Sequence, residues 1–188
     1  YQNYLQPKMS VPFASYVYFC KQYNDYINDY AVGLDTLLSK TKYPTQFPFY
    51  NEEISLTSIE NNDINLSKWK EVIQNGRDNI TPVAEFPGEQ IIIDELVKLY
   101  DGGYRIEGPG AAILEFFDYD KNLLIDTANK QFVFIKKEET PQQWIAGTLP
   151  GEELLAYLKA PWGADTLNIT GCFIKKNPQI WHPFLMAR

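Results

Sequence analysis

Ala112-Ile-Leu-Glu-Phe-Phe-Asp118, Asn122-Leu-Leu-Ile-Asp126, Gln131-Phe-Val-Phe-Ile-Lys136 and Gln143-Trp-Ile-Ala-Gly-Thr148 decide the fold class. Each run is short, rich in β-branched and aromatic residues, and alternates with period two, as a half-buried strand does. The connectors Asp118-Tyr-Asp-Lys-Asn122 and Asp126-Thr-Ala-Asn129 carry turn chemistry at hairpin spacing. The reading is a β-meander of four strands.

Helical patterns surround the meander. Upstream, after the turn Glu85-Phe-Pro-Gly88, the stretch Glu89 to Asp101 places Ile91, Ile92, Ile93, Leu96, Val97, Leu99 and Tyr100 around most of a helix, which predicts burial between layers. Downstream, Thr148-Leu-Pro-Gly-Glu-Glu153 opens a second helix. Pro150 suits its first turn, Glu152 and Glu153 face its positive end, and Leu154, Leu155 and Leu158 supply its stripe. Asp165 to Lys175 reads as a last strand, with Leu167, Ile169, Gly171 and Phe173 on one face, before an aromatic tail.

The first third is less regular. Val11 to Cys20 reads as a buried strand, and Asn24 to Thr41 as one amphipathic helix capped by Asn24 or Asp25. Tyr43 to Tyr50 holds two prolines and is an extended connector, the candidate boundary between a segment 1–45 and a domain 50–188. Glu53 to Ser58 is a candidate short strand. Ser67 to Asn75 is a candidate short helix around Trp69, Val72 and Ile73, closed by Gly76. The whole is an α+β protein: a mainly antiparallel sheet of about five strands covered by helices on one side, preceded by a strand-helix segment.

The 188 residues are 45% hydrophobic and 22% charged, with 13 Tyr, 11 Phe and 4 Trp. Such a chain is long enough to bury a core without metal or disulfide, and too aromatic for disorder. A net charge of −7 argues against nucleic acid as a partner, because the phosphates require a cationic field. No apolar run reaches the roughly 18 residues of a membrane span. Cys20 and Cys172 are far apart and outside any CxxC pair, so both are expected to be buried reduced thiols, in keeping with a cytoplasmic location.

Catalytic residue types are sparse. His182 is the only histidine, so a zinc centre or a triad lacks its usual ligands and base. It is expected to pack in Ile180-Trp-His-Pro-Phe184. Gly108-Pro109-Gly110 reads as a turn into the sheet. Asp118, Asp120, Asn122 and Asp126 offer oxygens for calcium but lack the glycine and bidentate glutamate of an EF-hand, so turn formation explains them better. Glu138 and Glu139 beside Lys136 and Lys137 form a solvated charge cluster. No cofactor is expected.

Aromatic side chains concentrate in the last 80 residues. They either make an ordinary sheet-on-helix core or line a cavity for a hydrophobic small molecule or lipid, with Phe116, Phe132, Phe134 and Trp144 as the lining candidates under the helix Glu89–Tyr100. The alternative is a structural or oligomerisation domain with a solid core, meeting a homo-oligomeric or other partner through Tyr1, Tyr4, Tyr16, Tyr18, Tyr23 and Tyr30.

Two stretches also resemble known families. Val11-Pro-Phe-Ala-Ser-Tyr-Val-Tyr-Phe-Cys20 with Tyr23-Asn-Asp-Tyr-Ile-Asn28 resembles the last strand and helix of metallo-β-lactamase-fold hydrolases of the Rieske-associated type. Gly151-Glu-Glu-Leu-Leu-Ala-Tyr-Leu158 with Pro161-Trp-Gly-Ala-Asp-Thr-Leu-Asn-Ile-Thr-Gly171 is similar to an appended sterol-carrier-protein-2 domain. The resemblance implies a non-catalytic apolar-ligand module at the C-terminal end of a larger metallohydrolase-like protein. The HxHxDH motif of such hydrolases does not occur in this sequence, so any metal-dependent activity would lie upstream and no catalytic residue carries over.

Overall fold

The computed structural model describes residues 4, 6–12, 18–55, 57–102, 111–160, 167 and 169–177. The chain divides at Thr81/Pro82 into two compact units. Residues 50–81 therefore belong with the first unit, and the connector Tyr43–Tyr50 lies inside it.

In the first unit, a 3-10 turn (Asp25–Asp29) precedes α1 (Leu34–Lys40) and α2 (Asn62–Asp78). The single helix expected over 24–41 is thus two pieces. Asn28 explains the break, because its side-chain amide accepts from Phe19 N–H at 2.9 Å and donates to Phe19 C=O at 2.8 Å, turning the chain back on itself. The same pair of hydrogen bonds occupies the backbone N–H and C=O of Phe19, near the end of the expected strand Val11–Cys20. None of its described residues is in a strand; the flanking Ser10 and Lys21 form isolated bridges, to Thr45 and Thr81, and residues 13–17 lie outside the described part.

The connector is packed. Phe47 is fully buried with Leu34 and Trp69. Asn62 accepts from Phe47 N–H and donates to Thr45 C=O, and Trp69 Nε1 donates to Pro48 C=O at 2.9 Å. These bonds satisfy connector backbone groups beside the single Ser10–Thr45 bridge. Helix α2 is twice the expected length and passes through Gly76 rather than ending at it. A Cβ on Gly76 would lie 2.8 Å from the Tyr18 ring, so the glycine serves a close approach instead of a cap. The described part of Glu53–Ser58 is not a strand.

The second unit is the α+β sheet. Helix α3 (Glu89–Asp101) is followed by β1 (Ala111–Phe116), β2 (Lys121–Asp126), β3 (Gln131–Lys136), β4 (Ile145–Leu149), α4 (Gly151–Lys159) and β5 (Ile174–Lys175). The five-stranded order is β3-β2-β1-β4-β5. Strands β1, β2 and β3 form the expected antiparallel meander. The fourth strand does not continue it. Through two short 3-10 turns, Lys137–Glu139 and Gln142–Trp144, the chain crosses back and lays β4 parallel to β1.

Two observations account for that crossing. Asn122, 1% exposed on β2, donates to Thr140 Oγ1 at 3.0 Å, and Thr140 in turn donates to Lys136 C=O, so the crossover is tied to the sheet. A register shift opposite Ile113/Leu114 leaves Ala146 as the extra residue of β4, and its carbonyl accepts from Lys176 and Asn177 N–H.

The pleat sorts the side chains. Opposite residues share a face, so Leu114, Leu123 and Phe134 form one row, and Ala112, Ile125 and Phe132 the next. Leu114 and Leu123 are fully buried, each contributing about 1.5–3 kcal/mol of burial. Helix α3 packs on α4 and β3 through Ile92 and Leu96, but Ile91 and Val97 are exposed. The expected burial all round is therefore one-sided packing, because the helix has sheet and helix against a single stripe. The last strand shrinks to Ile174–Lys175: Leu167 and Ile169, expected on its face, are helical, Gly171 turns the chain at φ +66°, and Phe173 packs over Gly147.

Candidate functional site

The end of β1 is the most structured polar-aromatic locality of the second unit. Phe116 closes β1 and is 1% exposed. Its ring lies 5.9 Å from that of Phe134 on β3 and 5.3 Å from that of Phe86, which precedes α3. Phe86 also stacks face to face on Tyr119 at 4.0 Å and meets Phe134 edge-on at 5.9 Å. Tyr119 completes the set with a T-shaped contact to Phe134. Four rings thus contact one another, Phe116 buried and the other three half-buried, each pair adding about 0.5–1.5 kcal/mol beyond area.

Glycine allows this closeness. A Cβ on Gly151, the first residue of α4, would stand 2.4 Å from Phe86 Cδ2 and 2.9 Å from Pro87 Cδ. The same Gly151 N–H donates to both carboxylate oxygens of Asp118 at 3.0 Å, so the turn after β1 caps the helix while the ring packs on its start. Burial raises the Asp118 carboxyl above its usual range, and the Gly151 bond offsets part of the rise.

Around the rings the polar groups are paired. Glu89, in the first turn of α3, accepts from Lys121 at 2.7 Å and from Tyr119 at 2.6 Å, and these two bonds hold its carboxyl below the usual value. The Tyr119 phenol and the Lys121 ammonium are both raised, chiefly by the bond to Glu89. Beyond the cluster, Glu115 on β1 meets Thr148 at 2.7 Å and the Lys176 ammonium. Burial works to raise Glu115, and the bonds from Lys176 and Thr148 outweigh it.

Of the four lining candidates, Phe116 and Phe134 meet directly. Phe132 lies on the same face and packs on Tyr100 at 6.1 Å. Trp144 stands on the crossover, 48% exposed, and none of its ring contacts joins it to the other three. Phe86, Tyr119 and Glu89 escaped the sequence reading. The available signal was an aromatic residue directly before Pro87-Gly88 in an otherwise polar turn.

The acidic run does not converge. Asp118 caps α4, Asn122 is buried against Thr140, and Asp126 accepts from Asn129 at its own turn. Among the described residues no group of three or more His, Cys, Asp and Glu could hold a metal ion, and no helix is long and apolar enough to cross a membrane. Cys172 is buried as expected, whereas Cys20 is exposed because its neighbours form turns and not a covered strand. His182, Trp162 and Gly108–Gly110 lie outside the described residues. Of the tyrosines, Tyr4 and Tyr30 are 89% and 84% exposed, Tyr18 and Tyr23 are half-buried, and Tyr1 and Tyr16 lie outside the described part.

No protein-family model matches the chain, and no curated protein and no solved structure matches it. The resemblance to metallo-β-lactamase-fold and sterol-carrier proteins rests on the quoted residues alone.

Proposed function

We propose that this chain is a non-catalytic protein-interaction module built on a filled aromatic core. The observation that carries the reading is the mutual contact of Phe86, Phe116, Tyr119 and Phe134. Rings that pack on one another supply cohesion, whereas rings that line a ligand site present their faces to a guest. The carboxylates nearby support the same reading, because Glu89, Asp118 and Glu115 each serve a helix start or a strand contact. A general acid or base would need a proton-transfer partner in reach of substrate.

Titration with a fluorescent fatty acid tests the core. The expected result is no saturable signal from the wild-type chain, and a lowered denaturation midpoint for Phe134→Ala, since the ring is structural. Saturable one-to-one binding that Phe134→Ala weakens at unchanged stability would overturn the reading and restore the lipid-like ligand.

A further inference from the structure

Among the described residues, strand β3 is the open edge of the sheet: it pairs with β2 alone, over all six of its residues, and no described strand flanks it on the other side. At the opposite edge β5 has only two residues. The β3 side is therefore the long template, with a row of backbone N–H and C=O groups turned outward. Its side chains are correspondingly less covered than those of the inner strands. Gln131, Val133 and Lys136 are exposed, with Val133 at 37%, while the central strand β1 is almost wholly buried.

A lysine stands at each end of this edge, in a chain whose net charge is −7, and the exposed Glu138 and Glu139 follow only beyond Lys137. Lys130 stands at the hairpin end with its ammonium 5.2 Å from the Tyr100 ring centroid. Lys136 closes the other end, followed by Lys137. Cross-strand, Lys136 faces Lys121. The Lys121 charge is spent on Glu89, and among the described residues the Lys136 ammonium has no ion-pair partner.

From this edge we infer that β3 receives an extended segment of a partner protein, apolar at alternate positions and acidic at both ends. The inference rests on the interaction-module reading and names the surface and the partner chemistry. Main-chain bonds to β3 would hold the segment, and its apolar residues would extend the Phe132/Phe134 row. Acidic ends would meet Lys130 and Lys136 in either strand direction. A second copy of β3 is a poorer occupant. Two-fold antiparallel pairing about Val133/Phe134 sets Lys136 against Gln131 and Lys130 against Lys137, and symmetry repeats the like-charge pair.

The test is an amide-resolved NMR titration of the full chain with two synthetic heptapeptides, acetyl-Glu-Thr-Val-Thr-Val-Thr-Glu-amide, whose end residues share a face with its valines, and its lysine-ended counterpart. The expected result is shifted and exchange-protected Gln131–Lys136 amides with the acidic peptide. It should bind roughly fivefold more tightly than the basic one, as two cross-strand charge pairs would give, and lose that margin in high salt. Lys136→Glu, a surface change that leaves the fold intact, should remove or reverse the preference. Absence of β3 shifts, shifts elsewhere, equal affinity for both peptides, or β3 amides already protected in a dimer would each overturn the inference. The fatty-acid titration reads the rings and the peptide titration reads the edge, so either reading can fail while the other stands.

Discussion

Gly151→Ala sets two effects of opposite sign against each other. Gly151 opens α4 and is not held at positive φ, as Gly88 and Gly171 are among the described glycines. On helix propensity alone, alanine is better than glycine by up to about 1 kcal/mol. The new methyl, however, would lie 2.4 and 2.6 Å from Phe86 Cδ2 and Cε2 and 2.9 Å from Pro87 Cδ. No rotamer of alanine avoids this, so the Phe86 ring must leave its stack on Tyr119. Overpacking costs about 1–3 kcal/mol, and each ring pair lost adds about 0.5–1.5 kcal/mol. The clash wins, and the net expectation is a destabilisation of about 2 kcal/mol. At a urea slope of about 2 kcal/mol/M, the midpoint falls by about 1 M. The control is a double-mutant cycle with Phe86→Ala. In that background the methyl fills space vacated by the ring, and Gly151→Ala should be close to neutral. Stabilisation of the wild-type chain by Gly151→Ala, or the same effect in both backgrounds, would refute the close packing of Phe86 on α4.

Three further outcomes are expected. Asn122→Ala removes the buried donor to Thr140 and should cost about 1–3 kcal/mol, read by denaturation, with faster amide exchange across 137–144 if the crossover is anchored there. Glu89 has a folded pKa below the usual 4.5, so its stabilisation is present above that pH and is lost as the pH falls through the depressed value. Glu89→Gln should be less stable than wild type at neutral pH and converge on it in acid; a constant difference across pH would argue against the Lys121 and Tyr119 bonds. Iodoacetamide should modify exposed Cys20 in the native chain and reach Cys172 only after unfolding, a pattern that mass spectrometry resolves by peptide.

The local parts of the fold were legible and the long-range parts were not. Period-two alternation and turn residues located β1 to β3, and Pro150 with Glu152 and Glu153 located the start of α4. The parallel return of β4 depends on the Asn122–Thr140 bond and on the bulge at Ala146, and neither leaves a mark at local spacing. Likewise the 24–41 pattern has helical spacing, yet Asn28 bonds Phe19 and the helix yields. In the site, register brings Phe116 and Phe134 together as two aromatic positions of one face. Trp144 failed to join them because it precedes β4 on the crossover and is not in a strand. Phe86 was hidden in a turn, and only the missing side chain of Gly151, 65 residues on, makes room for it.

The filled core is the claim on which the rest depends, and a native mass spectrum of gently isolated protein, with an organic extract of the same sample, tests it most directly. The account predicts the bare polypeptide mass and an extract without stoichiometric lipid. A retained apolar molecule at one per chain, released by the solvent, would contradict it and return Phe116, Phe132 and Phe134 to the lining of a ligand site.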